Sequence, residues 1–315
     1  FKQKTAYEIM PSLVGSEMCI RDSHSATPQE NKNPTAQLLE INGHRLLIDC
    51  GEGTQVQLRK AKVSFVHIKH IFISHLHGDH FYGLPGLVSS FRLLGRVAPL
   101  HIYGPKGIKE ALLLLLKLSK SNMNYPLHFH ELSSEQSECI FEDDNVLVRT
   151  IPLKHRVYTN GFLFEEKTGF RRINIDAVKA AGIDKSHYRL LQQGKDVESN
   201  DGTLVENKKV TFAPHPVMKY AYCSDTAYHP AIIEIIHKAD WLYHEATFLN
   251  QHAALAEQTK HSTAQQAAEI AKKAEVGRLI LGHYSSRYKD LELFVDEAKA
   301  VFPNVILASD GAVIS

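Results

Sequence analysis

The sequence predicts an α/β fold, and three observations carry that expectation. Short apolar runs of strand length alternate with segments of helical period, as in residues 100–103 followed by 106–117. Ile71-Phe72-Ile73 reads as the end of a buried strand running into the polar loop Ser74-His75-Leu76-His77-Gly78-Asp79-His80, with a helix start beyond it. A strand that stops in a polar loop before a helix puts that loop at the carboxyl edge of a sheet, where α/β folds keep their sites. Finally, His155, Asp225 and His283 each follow a short apolar strand, so residues far apart in sequence can converge on one rim.

Taken in order, residues 1–23 show no sustained period of 2 or 3.6, and Pro11 and Gly15 break any element proposed there. Their string resembles translated sequencing adapter, so we expect a non-native, disordered leader ahead of one main domain at 24–315. Residues 35–41 and 44–50 form a hairpin about Asn42-Gly43, the strongest short hairpin signal. After the polar loop come a helix at 84–94, a strand at 100–103 and a Leu-rich helix at 106–117, whose run 111–116 reads as a buried face. Residues 125–130 alternate as a strand; His128 and His130 mimic H-x-H but lack a following Asp and His, so they are expected as partly exposed strand residues. Strands at 145–152 and 158–164 flank His155.

Residues 167–209 interrupt the rhythm with helical pieces, a glycine and a polar stretch. Nine basic residues (Lys167, Arg171, Arg172, Lys179, Lys185, Arg189, Lys195, Lys208, Lys209) stand there against six acidic ones. The strand-helix pattern then resumes: a strand at 220–222 before Asp225, a helix at 231–237, and a strand at 241–243 leading to His244-Glu245-Ala246-Thr247. His261-Ser262-Thr263 precedes a helix at 264–274 that Ser262 or Thr263 caps. A strand at 278–281 delivers His283, and a helix at 291–302 and a strand at 305–309 complete the chain.

A chain of 315 residues can bury a substantial core. Its 36 basic and 35 acidic residues exert no global pull on nucleic acid, so any RNA binding rests on local patches. The four cysteines are widely spaced, which suggests neither a disulfide framework nor a Cys-rich zinc site and points to a reducing cytoplasm. The apolar run at 111–116 is far shorter than the roughly 20 residues of a membrane span, and the N-terminus shows no secretory pattern.

The loop packs three imidazoles and a carboxylate into H-x-H-x-D-H, the nitrogen and oxygen donors that zinc accepts, and Gly78 lets side chains on either side of it face inward. Read from Ile73 to Gly86, I-S-H-L-H-G-D-H-F-Y-G-L-P-G resembles the metallo-β-lactamase superfamily signature, and within it the ribonuclease Z branch that matures tRNA 3′ ends. D-C-G-E-G-T-Q at 49–55, H-E-A-T at 244–247 and H-S-T at 261–263 are similar to further motifs of that branch.

The resemblance implies a four-layer αββα sandwich with an inserted arm, and two Zn2+ per subunit. It implies His75, His77 and His155 on one ion, Asp79, His80 and His283 on the other, and Asp225 bridging both. Asp49 would support the metal loop without binding metal. Asp79 would also orient or deprotonate the attacking water, His261 would be the general acid with Glu245 sustaining its proton, and His244 and Thr247 would be structural supports. It implies precursor tRNA as substrate, gripped by the arm at 167–209, and a homodimer. The loop after Pro28 only partly matches the family's tRNA-reading P-x-K-x-R-N, and the family's first strand is expected to be missing. A hydrolase of small phosphodiesters or other small substrates on the same scaffold, or a non-catalytic RNA-binding paralogue, are the alternatives.

Overall fold

The computed structural model describes residues 17–20 by their backbone, and residues 33–214 and 216–314. The chain divides into two compact units. The larger holds the chain through Glu142, Val146–Glu165 and the chain from Met218 onward; the smaller holds Asp143–Asn145 and Glu166–Val217.

The first half of the larger unit runs β1 (Glu17–Ile20), β2 (Gln37–Ile41), β3 (His44–Ile48), α1 (Thr54–Lys60), β4 (Ile68–Phe72), α2 (Gly78–Phe81), α3 (Leu84–Leu93), β5 (Leu100–Pro105), α4 (Ile108–Leu118) and β6 (Leu127–Leu132). There follow β7 (Cys139–Glu142), β8 (Val146–Pro152) and β9 (Asn160–Glu166). The smaller unit contributes β10 (Arg172–Ile173), α5 (Ile175–Ala180), α6 (Tyr188–Gln192), β11 (Val197–Glu198), β12 (Leu204–Val205), α7 (Asn207–Val210) and β13 (Thr211–Phe212). Then come β14 (Lys219–Cys223), β15 (Trp241–Glu245), α8 (Ala253–Thr259), α9 (Ala264–Lys273), β16 (Arg278–Gly282), α10 (Glu292–Lys299), β17 (Val305–Leu307) and β18 (Val313–Ile314).

Two seven-stranded sheets result, ordered β18-β1-β2-β3-β4-β5-β6 and β17-β16-β15-β14-β9-β8-β7. Period-2 alternation splits each strand between two faces. Leu46, Phe72 and Tyr103 of the first sheet pack with Phe162, Tyr222 and Tyr243 of the second, forming the central layer. The opposite face of the first sheet, through Leu47, Ile71 and Ile102, packs under α1, α3 and α4. That of the second, through Ala221, Leu242 and Leu281, packs under α9 and α10. The result is the expected αββα arrangement. Asn42 and Gly43 take φ of 42° and 85°, the left-handed pair that a two-residue hairpin turn demands. Within the smaller unit, Val178, Ile183, Leu191, Val197 and Val210 form a core of their own. Among the described residues no helix is long and apolar enough to cross a membrane.

Several expectations need correction. Residues 17–20 lie inside the segment expected to be a disordered leader, yet they form β1 and pair antiparallel with both β2 and β18. Backbone pairing is tolerant of sequence, so a short extended segment can satisfy the N–H and C=O groups along the edge of β2. The rest of 1–23 and the loop at 28–32 lie outside the described residues. The run at 111–116 is not one buried face: Leu112 and Leu116 are buried with Ile108, while Leu113, Leu114 and Leu115 are 41%, 52% and 46% exposed. At 100° per residue five consecutive leucines encircle the helix, and only the i, i+4 row meets the sheet. The helix expected at 231–237 is a 3-10 turn at Pro230–Ile232 followed by turns. Its four isoleucines are β-branched, and burial of Ile232 and Ile236 needs no regular helix. Strand β7, helices α1 and α8 and strand β18 were not expected.

Candidate metal centre and active site

In the first sheet β4 is parallel to β3 and β5, and in the second β14, β15 and β16 are mutually parallel, so each group delivers its carboxyl ends to one side. The loop after β4 carries His75, His77, Asp79 and His80; His155 lies between β8 and β9; Asp225, Glu245 and His283 follow or end β14, β15 and β16. The structure brings all of these together, with His261 beside them.

Asp49 anchors the loop. Fully buried, its carboxylate accepts hydrogen bonds from the Ser74 amide (2.7 Å) and hydroxyl (2.8 Å), from His80 Nδ1 (2.8 Å) and from the Tyr222 hydroxyl (2.7 Å). The backbone repeats the clamp: the Cys50 amide donates to the His80 carbonyl, and the Gly83 amide to the Cys50 carbonyl. A side chain at Gly83 would run into the Gly51 carbonyl oxygen, so this approach requires glycine. Asp49 itself has φ 56° and His283 φ 61°, left-handed conformations that turn the chain sharply out of β3 and β16.

The imidazoles are oriented by their outer nitrogens. Nδ1 of His80 donates to Asp49 and Nδ1 of His155 to the Lys260 carbonyl (2.9 Å), while Nδ1 of His283 lies 3.0 Å from the Thr247 hydroxyl. That turns each Nε2 inward as the atom of its ring able to ligate, and all three Nε2 atoms are buried without a hydrogen bond.

They converge on Asp225. Its Oδ1 lies 3.5 Å from His80 Nε2 and 3.2 Å from His283 Nε2; its Oδ2 lies 3.5 Å from His75 Nε2 and 3.7 Å from His155 Nε2. One carboxylate therefore divides its two oxygens between two ligand groups. His75, His77, His155 and Asp225 hold one donor atom each within 4.8 Å of one another, as do Asp79, His80 and His283. Buried nitrogen lone pairs facing carboxylate oxygens are the donor set of a zinc-type cation, and unpaired buried polar atoms are costly without one.

The electrostatics agree. Burial opposes charge on Asp79 and Asp225, but the facing histidines hold both carboxyls well below the usual carboxylate range. Burial lowers His75, His77 and His155, favouring the neutral, ligating form. His80 and His283 go the other way: burial works against their charge, but Asp225 and its neighbouring carboxylates push His283 up to about 9 and His80 well above its ordinary value. The carboxylates thus draw positive charge into this half of the cluster.

Glu245, fully buried, receives the Thr226 amide (3.0 Å), the Thr247 amide (2.9 Å), the Thr247 hydroxyl (2.8 Å) and His261 Nδ1 (2.8 Å). Burial disfavours a charged His261, yet Glu245 outweighs it and raises the imidazole above its ordinary value. His261 lines a cleft of about 210 Å³ with His77, Asp79, Asp225 and His283. His244 is buried beside it with Nδ1 on the Glu245 carbonyl, outside the cluster.

Sequence reasoning missed two participants. Arg156 lines the cleft, and its position next to His155 was the available signal. Tyr222 has no such signal, because its hydroxyl reaches Asp49 from the other sheet.

The beta-lactamase superfamily domain profile matches residues 44–284. Ribonuclease Z of Bacteroides fragilis (strain YCH46) is 43% identical over 95% of this chain and 98% of its own. Ribonuclease Z of Porphyromonas gingivalis (strain W83) is 43% identical over 91% of this chain and 94% of its own. Among solved structures, the short form of human tRNase Z superposes with a TM-score of 0.69 at 28% identity, covering 95% of this chain and 98% of the human one. The chain belongs to the ribonuclease Z family, the phosphodiester-hydrolysing endoribonuclease branch of the beta-lactamase superfamily.

Proposed function

We propose that this enzyme removes the 3′ trailer from precursor tRNA by two-metal hydrolysis, with two Zn2+ per subunit, leaving a 3′ hydroxyl on the tRNA. The observation that carries the reading is the shared carboxylate of Asp225, one oxygen facing His75 and His155 and the other His80 and His283. Its relatives are named ribonuclease Z and tRNase Z, which supplies the substrate class.

His75, His77 and His155 would hold one ion, Asp79, His80 and His283 the other, and Asp225 both. When bound, such a pair lowers the pKa of an attacking water and offsets charge on the phosphoryl oxygens. Asp79, kept ionised, orients that water and accepts its proton. His261, protonated through Glu245, donates to the leaving 3′ oxygen of the tRNA body. Arg156, on the cleft wall, supplies a fixed positive charge toward the scissile phosphate.

The smaller unit supports a tRNA-gripping role for the insertion, because Arg172, Lys179, Lys185, Arg189, Lys195, Lys208 and Lys209 are exposed on it. Homodimerisation is supported by exposed Leu93, Leu94 and Val97 at the end of α3 and exposed Leu114 and Leu118 on α4, apolar surface of the kind that a second subunit covers. Action on tRNA is consistent with a cytoplasmic setting. The test is incubation with 3′-extended precursor tRNA, with zinc and with chelator. Cleavage with zinc that leaves a 3′ hydroxyl, and its loss with chelator, are expected. No cleavage with zinc overturns the reading, and cleavage that survives removal of the exposed basic residues at 167–209 overturns the grip.

A further inference from the structure

We infer that Thr247 is a positioning residue whose single hydroxyl sets the tautomer of a metal ligand, His283, and seats the Glu245 carboxylate that fixes the proton of the donor, His261. The inference rests on the proposed function of the site and assigns Thr247 more than structural support. A threonine hydroxyl has one proton to give and two lone pairs to receive with. Its Oγ1 lies 2.8 Å from Glu245 Oε2, 3.0 Å from His283 Nδ1 and 3.2 Å from His261 Nδ1.

Glu245 decides how these three bonds run. Its buried carboxylate only accepts, so the hydroxyl proton goes to Oε2. Both lone pairs then face imidazole nitrogens, which are satisfied only if each Nδ1 carries hydrogen. For His261 the Glu245 Oε1 contact at 2.8 Å demands the same, with the Thr247 oxygen as a second, longer acceptor. Protonated at Nδ1, His283 turns the lone pair of Nε2 toward Asp225 Oδ1 at 3.2 Å and Asp79 Oδ2 at 3.6 Å. Protonated at Nδ1, His261 keeps Nε2 for the proton it transfers.

The carboxylate reaches further. Glu245 Oε1 also receives the amide of Thr226, the residue after Asp225. Through one Glu-Thr pair the ends of β14, β15 and β16 and the H-S-T loop are tied into a single hydrogen-bonded unit. Metal binding and proton delivery are therefore coupled through Thr247, without a contact between Thr247 and the reacting phosphate being required.

The experiment compares the full chain with Thr247→Val, Thr247→Ser and His261→Ala. Three readouts are used: zinc affinity by competition with a chelator, cleavage of 3′-extended tRNA, and hydrolysis of bis(p-nitrophenyl) phosphate, whose leaving anion needs no proton. Thr247→Val should bind zinc about 10- to 100-fold more weakly, the usual cost of removing a ligand's outer partner. At saturating zinc it should recover hydrolysis of the chromogenic diester more fully than that of RNA, because Glu245 loses the hydroxyl that seats it against His261. Thr247→Ser should restore all three, and His261→Ala should lose RNA cleavage alone. Thr247→Ala should repeat the valine pattern, so a poorly folded valine variant does not shelter the inference. Wild-type zinc affinity in both hydroxyl-free variants, or equal recovery of both activities at saturating zinc, overturns it. Failure of the wild type to cut tRNA would instead overturn the proposed function, leaving the affinity comparison readable.

Discussion

Replacing Asp49 with Asn tests whether the metal loop is preorganised by one buried carboxylate. Oδ2 of Asp49 receives three donors: the Ser74 hydroxyl, His80 Nδ1 and the Tyr222 hydroxyl. In the amide, an NH2 group can occupy that position while Oδ1 keeps the Ser74 amide. The two hydroxyls can rotate and accept from the new N–H groups, so their bonds change direction without being lost. His80 has no such freedom. Its Nδ1–H would face another donor, or the ring would move its proton to Nε2 and withdraw its lone pair from Asp79 and Asp225.

The cost to stability is therefore one charge-assisted hydrogen bond, about 1.5–3 kcal/mol. The cost to metal affinity is about 10- to 100-fold. Urea unfolding of the metal-stripped protein reads the first and chelator competition the second. If Asp49→Asn bound zinc as tightly as wild type, the orienting role assigned to Asp49 would be wrong, whatever its stability.

Glu245→Gln removes the charge that outweighs burial at His261, so the imidazole loses its proton at lower pH. A general acid works while protonated, and activity falls as pH rises through its raised pKa; the alkaline limb of the RNA cleavage profile should move to lower pH, and an unmoved limb refutes the pairing. Gly83→Ala puts a methyl into the Gly51 carbonyl oxygen and should cost at least about 1–3 kcal/mol, with weaker zinc binding, since it pushes α3 off the loop that holds the metal residues; unchanged melting temperature refutes it. Leu112→Ala should cost about 2–5 kcal/mol, whereas Leu113→Ala, on the exposed side of the same helix, should stay within about 0.5 kcal/mol; equal costs would show that the helix packs on a different face.

What was legible in the sequence was whatever is encoded within a few residues. The H-x-H-x-D-H loop, the Asn42-Gly43 turn and the Thr263 cap, completed by Gln266 as a capping box, depend on neighbours in the chain. His155, Asp225 and His283 were legible by a different route, because each follows a strand and matches a family motif. The Leu-rich helix was misread because composition does not say which of five leucines faces the sheet; that depends on how the helix is rotated on its neighbours. Strand β1 was invisible because main-chain pairing carries no side-chain signature. Thr247 was read as a support because its three partners, Glu245, His261 and His283, meet only once strands of the second sheet lie side by side.

At the rim Asp49 and His283, neither of them glycine, leave β3 and β16 in the left-handed region. Each such residue costs roughly 1–2 kcal/mol relative to ordinary backbone. Glycine at 283 would relax the backbone while deleting a side chain that faces Asp79 and Asp225. A library screened only for heat resistance would be drawn toward that replacement, and one screened for turnover would reject it. Durability and chemistry thus compete for the same peptide unit, and thermostabilising this enzyme will work best at positions remote from the rim.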